Sequence, residues 1–212
     1  MRVDVFSDVV CPWCYVGKRH LESALADATP GPTDIHWHAF QLNPDLPPEG
    51  RERSEYLRAK FGSAVSAERL HGRVTDAGKE AGIEFQFDKI TRSPNTFQAH
   101  RLIQLAQTRG LGNQAAEMLF RGYFLDGRDL GDAATLAALG HAAGLEGDLD
   151  GFLAGEEQAD TVRADLALAR QIGISGVPFY ILGNRYTLSG AQPAATFVQA
   201  LKAAQQKAQS LN

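Results

Sequence analysis

The stretch FSDVVCPWCYVGKRHLESAL (residues 6–25) contains the only two cysteines of the chain, Cys11 and Cys14. Two cysteines placed at random along 212 residues would stand three positions apart only about once in a hundred chains. The C-x-x-C spacing therefore indicates that the two thiols work together.

The segments on either side of this stretch predict a strand–helix–strand unit. Residues 2–6 (RVDVF) and residues 35–40 (IHWHAF) alternate between polar and apolar side chains, a pattern typical of strands. Between them, Pro12 suits the first turn of a helix, and residues 15–26 carry apolar side chains at helical spacing. Such a unit has parallel strands and a right-handed crossover. We therefore expect the cysteines where the first strand meets the connecting helix.

A long helical segment follows this unit. Residues 43–172 are rich in helix-forming side chains, interrupted by glycine-containing turns, and predict about six helices. One of these helices is expected to have Ser93 as its N-cap and Pro94 in its first turn.

Strand patterns return only near the end of the sequence. Residues 178–182 (PFYIL) and 185–188 (RYTL) predict two short strands. The dipeptide between them, Gly183-Asn184, predicts a two-residue hairpin turn of the primed type. Pro193 is then expected to open a final amphipathic helix.

The order of these elements, βαβ…ββα around a helical block, predicts an α/β fold with a long all-helical insertion. A chain of 212 residues with 44% hydrophobic side chains can bury a substantial core. We expect a discontinuous sheet domain formed by residues 1–42 and 173–212, and an inserted helical domain formed by residues 43–172.

The composition argues against several classes of protein. The chain has 21 Lys and Arg against 25 Asp and Glu, and it has no basic tract that would bind phosphates. Its apolar runs are far shorter than the ~20 residues that cross a bilayer. Residues 1–5 (MRVDV) lead directly into a strand pattern without the features of a signal peptide. We therefore expect a cytoplasmic protein without nucleic-acid or membrane partners, and a structural disulfide is not expected there.

The position of the two cysteines predicts thiol–disulfide exchange. The N-terminal end of a helix favours negative charge, so a thiolate at Cys11 is stabilised and becomes a good leaving group. A disulfide to Cys14 closes so short a loop that it stabilises the fold by only about 2 kcal/mol. The intervening Pro12 and Trp13 add no charge to the site, although they modulate its redox poise.

Two other interpretations of the cysteine pair stay open at this point. His36 and His38 point to the same side of their strand, so they could complete a zinc site together with Cys11 and Cys14. The pair could also be two inert buried thiols.

Several motifs resemble the DsbA-like thioredoxin-fold oxidoreductases, and most closely their FrnE-like branch. The resemblance extends over nearly the whole chain. It implies a thioredoxin fold with a helical insertion, and thiol–disulfide exchange with protein or small disulfide substrates. The matching segments are SDVVCPWCYVGKRHLE, QLNPDLP, SPNTFQAHRL, GISGVPFYIL and LSGAQP.

The resemblance also implies residue roles at the CxxC motif. Cys11 matches the attacking cysteine, and Cys14 matches the resolving cysteine. Val177 and Pro178 match a loop with a cis peptide bond that faces the disulfide. A cis bond there would present the Val177 backbone to an extended substrate.

Other residues receive weaker assignments. Asp4 resembles the buried acid that accepts the proton of the resolving cysteine; its rival Asp8 suits a solvated or capping role better. Asn95 and His100 fit a family motif, but no role follows for them. Aromatic side chains that line either a substrate surface or the core are those of Trp13, Phe40, Phe97 and Phe179.

The sequence thus predicts a protein thiol-disulfide oxidoreductase or isomerase without a tightly bound cofactor or metal, with glutathione as a redox partner. One alternative is a glutathione-dependent isomerase or transferase of the kappa or 2-hydroxychromene-2-carboxylate isomerase type. Such enzymes carry serine in place of the first cysteine, so the presence of both Cys11 and Cys14 argues against it. A non-enzymatic zinc or partner-binding module is a third alternative.

Overall fold

The computed structural model describes residues 1–28, 31–61 and 64–209. The chain begins with the predicted unit: strand β1 (Arg2–Ser7), helix α1 (Pro12–Ala28) and strand β2 (Asp34–Ala39). Strands β1 and β2 are parallel, with Val5 opposite Trp37. The βαβ prediction is therefore confirmed, and α1 starts at Pro12.

The helical block lies between β2 and β5. Its described part has seven α-helices, one more than the sequence predicts, together with a two-stranded ribbon and a 3-10 turn at Phe87–Lys89. The elements are β3 (Arg51–Glu52), α2 (Arg53–Phe61), α3 (Ala64–Glu80), β4 (Arg92–Ser93), α4 (Phe97–Thr108), α5 (Gly112–Phe124), α6 (Ala133–Ala142), α7 (Leu149–Ala154) and α8 (Ala159–Gln171).

The chain returns to the sheet with β5 (Phe179–Leu182) and β6 (Tyr186–Ser189), followed by α9 (Ala194–Gln209). The sheet order is β2-β1-β5-β6, and β5 runs antiparallel to β1. The hairpin turn has positive φ angles at both Gly183 (57°) and Asn184 (61°), as a primed turn requires. The second strand starts at Tyr186, one residue later than predicted.

The α/β fold with a helical insertion is confirmed, whereas the domain boundaries at residues 43 and 173 stay a prediction. Apolar side chains from both parts join one continuous core. Val3 and Val5 of the sheet belong to the same cluster as Leu102 and Phe120 of the insertion.

The alternation along β1 divides the sheet into two faces. Val3 and Val5 point to the side of α1 and α9, where they pack in one cluster with the two cysteines; we call this the cysteine face. Asp4 and Phe6 point to the opposite side, which is covered by α8, and we call this the α8 face. Phe6 packs there against Ala169.

Strand β2 lies at the edge of the sheet, and side chains of α4 and α8 occupy its free hydrogen-bonding groups. Trp37 donates its N–H to Gln107 Oε1 (2.5 Å) and accepts from Gln104 Nε2 (3.0 Å). Ala39 donates its N–H to Asp165 Oδ2 (3.0 Å). The edge is therefore satisfied by the insertion.

An ionic cluster joins α1 to α5. Lys18, whose side chain is only 2% exposed, donates to Glu117 Oε2 (2.8 Å), and Arg19 donates to Glu117 Oε1 (2.5 Å). Tyr15 also donates to Glu117 and stacks on Phe120 at 5.0 Å between centroids. The helix that begins at the cysteines is therefore fixed to the insertion one turn later.

Helix α4 does not begin at Ser93 as the sequence predicts. Ser93 instead pairs with Arg51 in the β3–β4 ribbon, and Gly50, at φ +69°, packs against the Ser93 carbonyl. The helix starts at Phe97, whose N–H donates to Asn95 Oδ1 (3.0 Å). The cap prediction was wrong because this partner strand lies about 40 positions earlier in the chain.

Within the described residues, no helix is both long and apolar enough to cross a membrane.

Candidate active site

Cys11 lies in the turn that connects β1 to α1. Its N–H donates to the Asp8 carbonyl (2.9 Å), and its own carbonyl accepts from Cys14 N–H (3.0 Å). Cys11 therefore occupies the N-cap position of α1, where the free amides of the first turn favour an anion.

Both cysteines are free thiols and are nearly buried, with Cys11 4% and Cys14 1% exposed. Burial raises the pKa of Cys14 well above its ordinary value, and the hydrogen bond to Cys11 and the charge of Cys11 raise it further. The Ser7 hydroxyl and the Asp8 amide act in the opposite direction and lower the pKa of Cys14. Cys14 therefore holds its proton more tightly than an ordinary thiol.

The loop before β5 faces the cysteines, as the resemblance implies. The Val177–Pro178 peptide bond is cis. The Val177 carbonyl accepts a hydrogen bond from Cys11 Sγ at 3.6 Å. Trp13, two residues after Cys11, is 37% exposed, which makes it the accessible aromatic residue of the motif. The structure thus brings Cys11, Cys14 and the Val177–Pro178 loop together.

Gly17 provides the space in which α1 meets this loop. A Cβ atom at Gly17 would overlap the Tyr180 hydroxyl and would approach Pro178 Cγ to 3.1 Å. Tyr180 is fully buried, and burial together with the charges of Cys14 and Cys11 raises its pKa. Its hydroxyl has no hydrogen-bond partner among the described residues.

The assignment of Asp4 as the proton acceptor of Cys14 is not supported, because Asp4 lies on the α8 face. Its carboxylate accepts from His38 Nε2 (2.8 Å) and Arg2 Nε (2.8 Å). These two partners lower its pKa, although burial acts in the opposite direction. The other nitrogen of His38 bonds to Asp165 (2.7 Å). Alternation from Val3 and Val5 predicts this placement, whereas resemblance alone does not.

The same alternation separates His36 and His38 from the cysteines, so the structure does not assemble the alternative zinc site. His38 is bonded to two carboxylates, which raise its pKa to about 9 against the opposing effect of burial. His36 lies next to it, with ring centroids 4.7 Å apart.

Asp8 and His100 bind the backbone of the segment that follows β2, residues 40–42. Asp8 is 1% exposed, so it is not solvated, and its carboxylate accepts from the segment after β2 instead of capping α1. Its Oδ2 accepts from Leu42 N–H (2.8 Å), and its Oδ1 lies 3.4 Å from His100 Nε2. The His100 ring also bonds to the Phe40 carbonyl (3.0 Å). Asn95 donates to the Leu46 carbonyl (2.7 Å), so both motif residues shape this segment.

The remaining aromatic candidates lie apart from the thiols. Phe40 and Phe179 pack around Phe6 on the α8 face. Phe97 lies beneath Arg163, with the guanidinium 5.6 Å from the ring centroid. Of the four aromatic side chains proposed for a substrate surface, only Trp13 belongs to the CxxC motif itself.

Sequence reasoning missed Ser7 and Tyr180, the two buried hydroxyls beside Cys14. Ser7 shares the alternation of Val3 and Val5, and this signal could have placed it on the cysteine face. Tyr180 lies opposite Val5 in the antiparallel pair β1–β5, a pairing that no local pattern specifies.

Comparisons with known proteins agree with this geometry. The family model described as DSBA-like thioredoxin domain matches residues 2–202. The probable DsbA oxidoreductase SCO1869 from Streptomyces coelicolor is 36% identical, with a TM-score of 0.84 over 96% of this chain and 89% of that chain.

Two structures of lower identity share the fold. A 2-hydroxychromene-2-carboxylate isomerase is 15% identical, with a TM-score of 0.74 and full coverage of both chains. The cytosolic disulfide reductase DsbM from Pseudomonas aeruginosa, solved with GSH, is 18% identical with a TM-score of 0.64, covering 100% of this chain and 98% of that chain. The family match across almost the whole sequence, together with the cysteines at the start of α1, shows that this chain belongs to the DSBA-like thioredoxin domain family.

Proposed function

We propose that the chain is a thiol-disulfide oxidoreductase, similar to protein disulfide isomerases, that works through Cys11 and Cys14. The observation that carries this proposal is the position of Cys11. Its sulfur lies at the start of α1. It is hydrogen-bonded to the Val177 carbonyl (3.6 Å) and lies within hydrogen-bonding reach of Cys14.

The reaction begins when the Cys11 thiolate attacks one sulfur of a substrate disulfide. A bond forms between Cys11 and that sulfur, and the second substrate sulfur leaves as a thiolate. Cys14 then loses its proton and attacks Cys11 Sγ, which releases the first substrate sulfur. Two electrons pass to the substrate and a Cys11–Cys14 disulfide remains. Run in reverse, the same steps oxidise a dithiol.

The raised pKa of Cys14 delays its attack until Cys11 has formed the mixed disulfide with the substrate. The charge of Cys11 raises this pKa, and that contribution disappears once Cys11 is bonded to the substrate. Deprotonation of Cys14 is therefore easier in the mixed disulfide than in the reduced protein. When a thiol of the substrate resolves the mixed disulfide instead, the net reaction is isomerisation.

The substrate surface is proposed to lie around Trp13 and the Val177–Pro178 loop. Trp13 is exposed, and Val177 presents its backbone toward Cys11. An extended substrate segment can pair with such a backbone, a mode of binding that tolerates many sequences. This surface suits protein disulfides as well as small ones.

The test is a trapping experiment with Cys14→Ala. We expect this variant to accumulate mixed disulfides with proteins that contain exchangeable disulfides, such as a scrambled protein, visible on non-reducing gels and abolished by dithiothreitol. Cys11→Ala is the matched control and is expected to trap nothing. If Cys14→Ala forms no mixed disulfide with any protein or small disulfide, the proposal is wrong.

We also propose a cytoplasmic location, a place in the FrnE-like branch and glutathione as the redox partner. The fold is shared with DsbM, which was solved with GSH, and this supports a glutathione reaction here. No tightly bound cofactor is required, because glutathione would react with the Cys11–Cys14 disulfide by exchange. Stopped-flow mixing of the oxidised protein with glutathione checks this step.

A glutathione-dependent isomerase is the second candidate, since the 2-hydroxychromene-2-carboxylate isomerase shares the fold over its whole length. The two candidates differ in their need for Cys14. Turnover of electrophilic small molecules with glutathione that persists in Cys14→Ala supports the isomerase. Loss of all turnover in that variant supports the oxidoreductase.

A further inference from the structure

A cleft lies beside Val10, the residue before Cys11, and along the segment after β2. Val10 lines its inner end, a cavity of about 40 Å³. Leu42, Asn43 and Tyr56 line this cavity and also the adjoining outer cavity of about 340 Å³. The two cavities are therefore neighbours, and the outer one extends along α2 to Lys60. The outer cavity is in the size range of small-ligand sites.

The charge of the cleft is positive. Arg51 and Lys60 line the outer cavity and Arg53 lines the inner one, whereas Asp45 is the single acidic residue among the residues that line the two cavities. Arg51 and Arg53 are two residues apart, and Arg51 is paired with Ser93 across the β3–β4 ribbon.

Arg53 has no acidic partner within the described part of the chain. Its Nη1 donates to the Tyr123 hydroxyl (3.2 Å), a neutral group. The adjacent carboxylate of Glu52 accepts instead from Glu55 N–H (2.9 Å) and from Ser54 at the start of α2. The buried carboxylate of Asp8 faces Leu42 N–H and His100. Donors of the Arg53 guanidinium thus remain for a ligand.

Ser93 supplies the second observation. It is 4% exposed and lines the inner cavity, yet its hydroxyl has no hydrogen-bond partner among the described residues. Leaving a buried hydroxyl without a partner is unfavourable, so such groups in native proteins call for an explanation. Ser93 and Arg53 line the same cavity of about 40 Å³.

We propose that the inner cavity is a carboxylate-binding subsite, in which Arg53 and Ser93 hold an acidic group next to the reactive cysteine of a substrate peptide. A guanidinium and a hydroxyl are donors suited to a carboxylate, and a charge-assisted hydrogen bond is about twice as strong as a neutral one. The inference rests on the proposed function, because the subsite selects which thiols and disulfides reach Cys11. Its ligand class is a cysteine peptide with a carboxylate beside the cysteine.

The experiment measures attack by Cys11 on peptide disulfides in the Cys14→Ala background. Each peptide carries its cysteine as a 2-pyridyl disulfide. Cys11 forms a bond with the peptide sulfur, and pyridine-2-thione leaves and is followed by its absorbance. The peptides have blocked termini and either Glu or Gln beside the cysteine. Glutathione 2-pyridyl disulfide is added as a small probe with free carboxylates.

We expect the Glu peptide to react about tenfold faster than the Gln peptide, and we expect Arg53→Gln to abolish that ratio. Ser93→Ala should lower the ratio severalfold without lowering the thermal midpoint, because it removes a hydroxyl that has no partner. Arg109→Gln is the charge-matched control, since Arg109 bonds to the Glu146 carbonyl in another cavity. It should leave the ratio unchanged.

The comparison of the blocked peptides with glutathione shows which kind of molecule supplies the carboxylate. A preference for the blocked Glu peptide assigns the subsite to acidic segments of proteins. A preference seen only with glutathione assigns it to a small thiol acid. Equal rates for Glu, Gln and glutathione disulfides, or a ratio that Arg53→Gln leaves intact, overturn the subsite. Failure of all peptides to react overturns the proposed function instead.

Discussion

On the α8 face of the sheet, buried polar side chains bond to one another: His38 lies between Asp4 and Asp165 at 2.8 and 2.7 Å. On the cysteine face, the hydroxyls of Ser7 and Tyr180 are buried beside Cys14; within the described residues Tyr180 has no hydrogen-bond partner, and the one group that the Ser7 hydroxyl faces is the Cys14 thiol. Asp4 and Ser7 belong to the same strand, only three residues apart.

This difference shows two uses of buried polarity. A bonded cluster fixes the attachment of α8 to the sheet, and breaking it leaves charges without partners. An unbonded hydroxyl costs about 1–3 kcal/mol of stability, but it remains free to donate when charge appears nearby. We therefore expect substitutions on the α8 face to change stability, and polar substitutions on the cysteine face to change the chemistry of sulfur.

The largest effect is expected from Asp165→Ala. This change leaves His38 with one carboxylate and removes the acceptor of Ala39 N–H and Gln104. We expect the free energy of unfolding to fall by about 3–5 kcal/mol, measured by urea denaturation. Asp160→Ala on the same helix removes only an exposed ion pair to Arg163 and should cost about 0.5 kcal/mol or less. Equal losses in the two variants would contradict the bonded-cluster interpretation.

The same cluster predicts a pH dependence of stability. His38 has a pKa of about 9 in the folded protein, above the ~6.5 of an unfolded chain, because Asp165 and Asp4 outweigh its burial. Its contribution is complete below about pH 6.5 and is lost as the pH rises through about 9. Linkage gives about 3 kcal/mol for that loss.

The measurement is the difference in unfolding free energy between the wild type and His38→Gln at several pH values. His36, Arg2, Asp4 and Asp165 surround the same ring and are present in both proteins. The difference should shrink from pH 6 to pH 10. A constant difference over that range means that His38 is not charged in the folded protein.

Gly17→Ala is expected to have the next largest effect, this time on the cysteine face. The new methyl group overlaps the Tyr180 hydroxyl and approaches Pro178. Overpacking of this kind costs about 1–3 kcal/mol, which a thermal unfolding scan detects. Adding Tyr180→Phe removes the overlapping oxygen and should restore part of the loss. If the double variant is no more stable than the single one, the hydroxyl is not the source of the clash.

The smallest effect is expected from Ser7→Ala. The Ser7 hydroxyl lowers the pKa of Cys14, so its removal should raise that pKa and reduce the thiolate fraction. We expect Cys14 to resolve a mixed disulfide severalfold more slowly, because the thiolate is the attacking species. Stopped-flow kinetics measure this step, with Ser189→Ala in β6 as the control. If Ser7→Ala loses much stability while the rate of resolution is unchanged, Ser7 serves the stability of the fold and not the chemistry of Cys14.

The parts of the fold that the sequence predicts are those determined by local pattern. Alternation in β1 and β2, and Pro12 at the start of α1, placed Cys11 at the beginning of the helix. The sequence Gly183-Asn184 was sufficient for the hairpin turn, because that conformation requires two positive φ angles. These signals need no knowledge of distant residues.

The rest depends on contacts between distant positions. Ser93 seemed a helix cap by local rules, but it pairs with Arg51 in a ribbon. Asp8 acts through Leu42 and His100, which are far along the chain. Asp4 was assigned by resemblance, whereas the strand alternation already placed it away from the cysteines.

The side chains of Gln104 and Gln107 that occupy the β2 backbone have a consequence for assembly. A second copy of the chain cannot extend the sheet on that side without displacing them. Among the described strands of the four-stranded sheet, a second copy would therefore have to pair with β6, a segment of four residues. Fibre growth by extension of this four-stranded sheet is therefore confined to one short border.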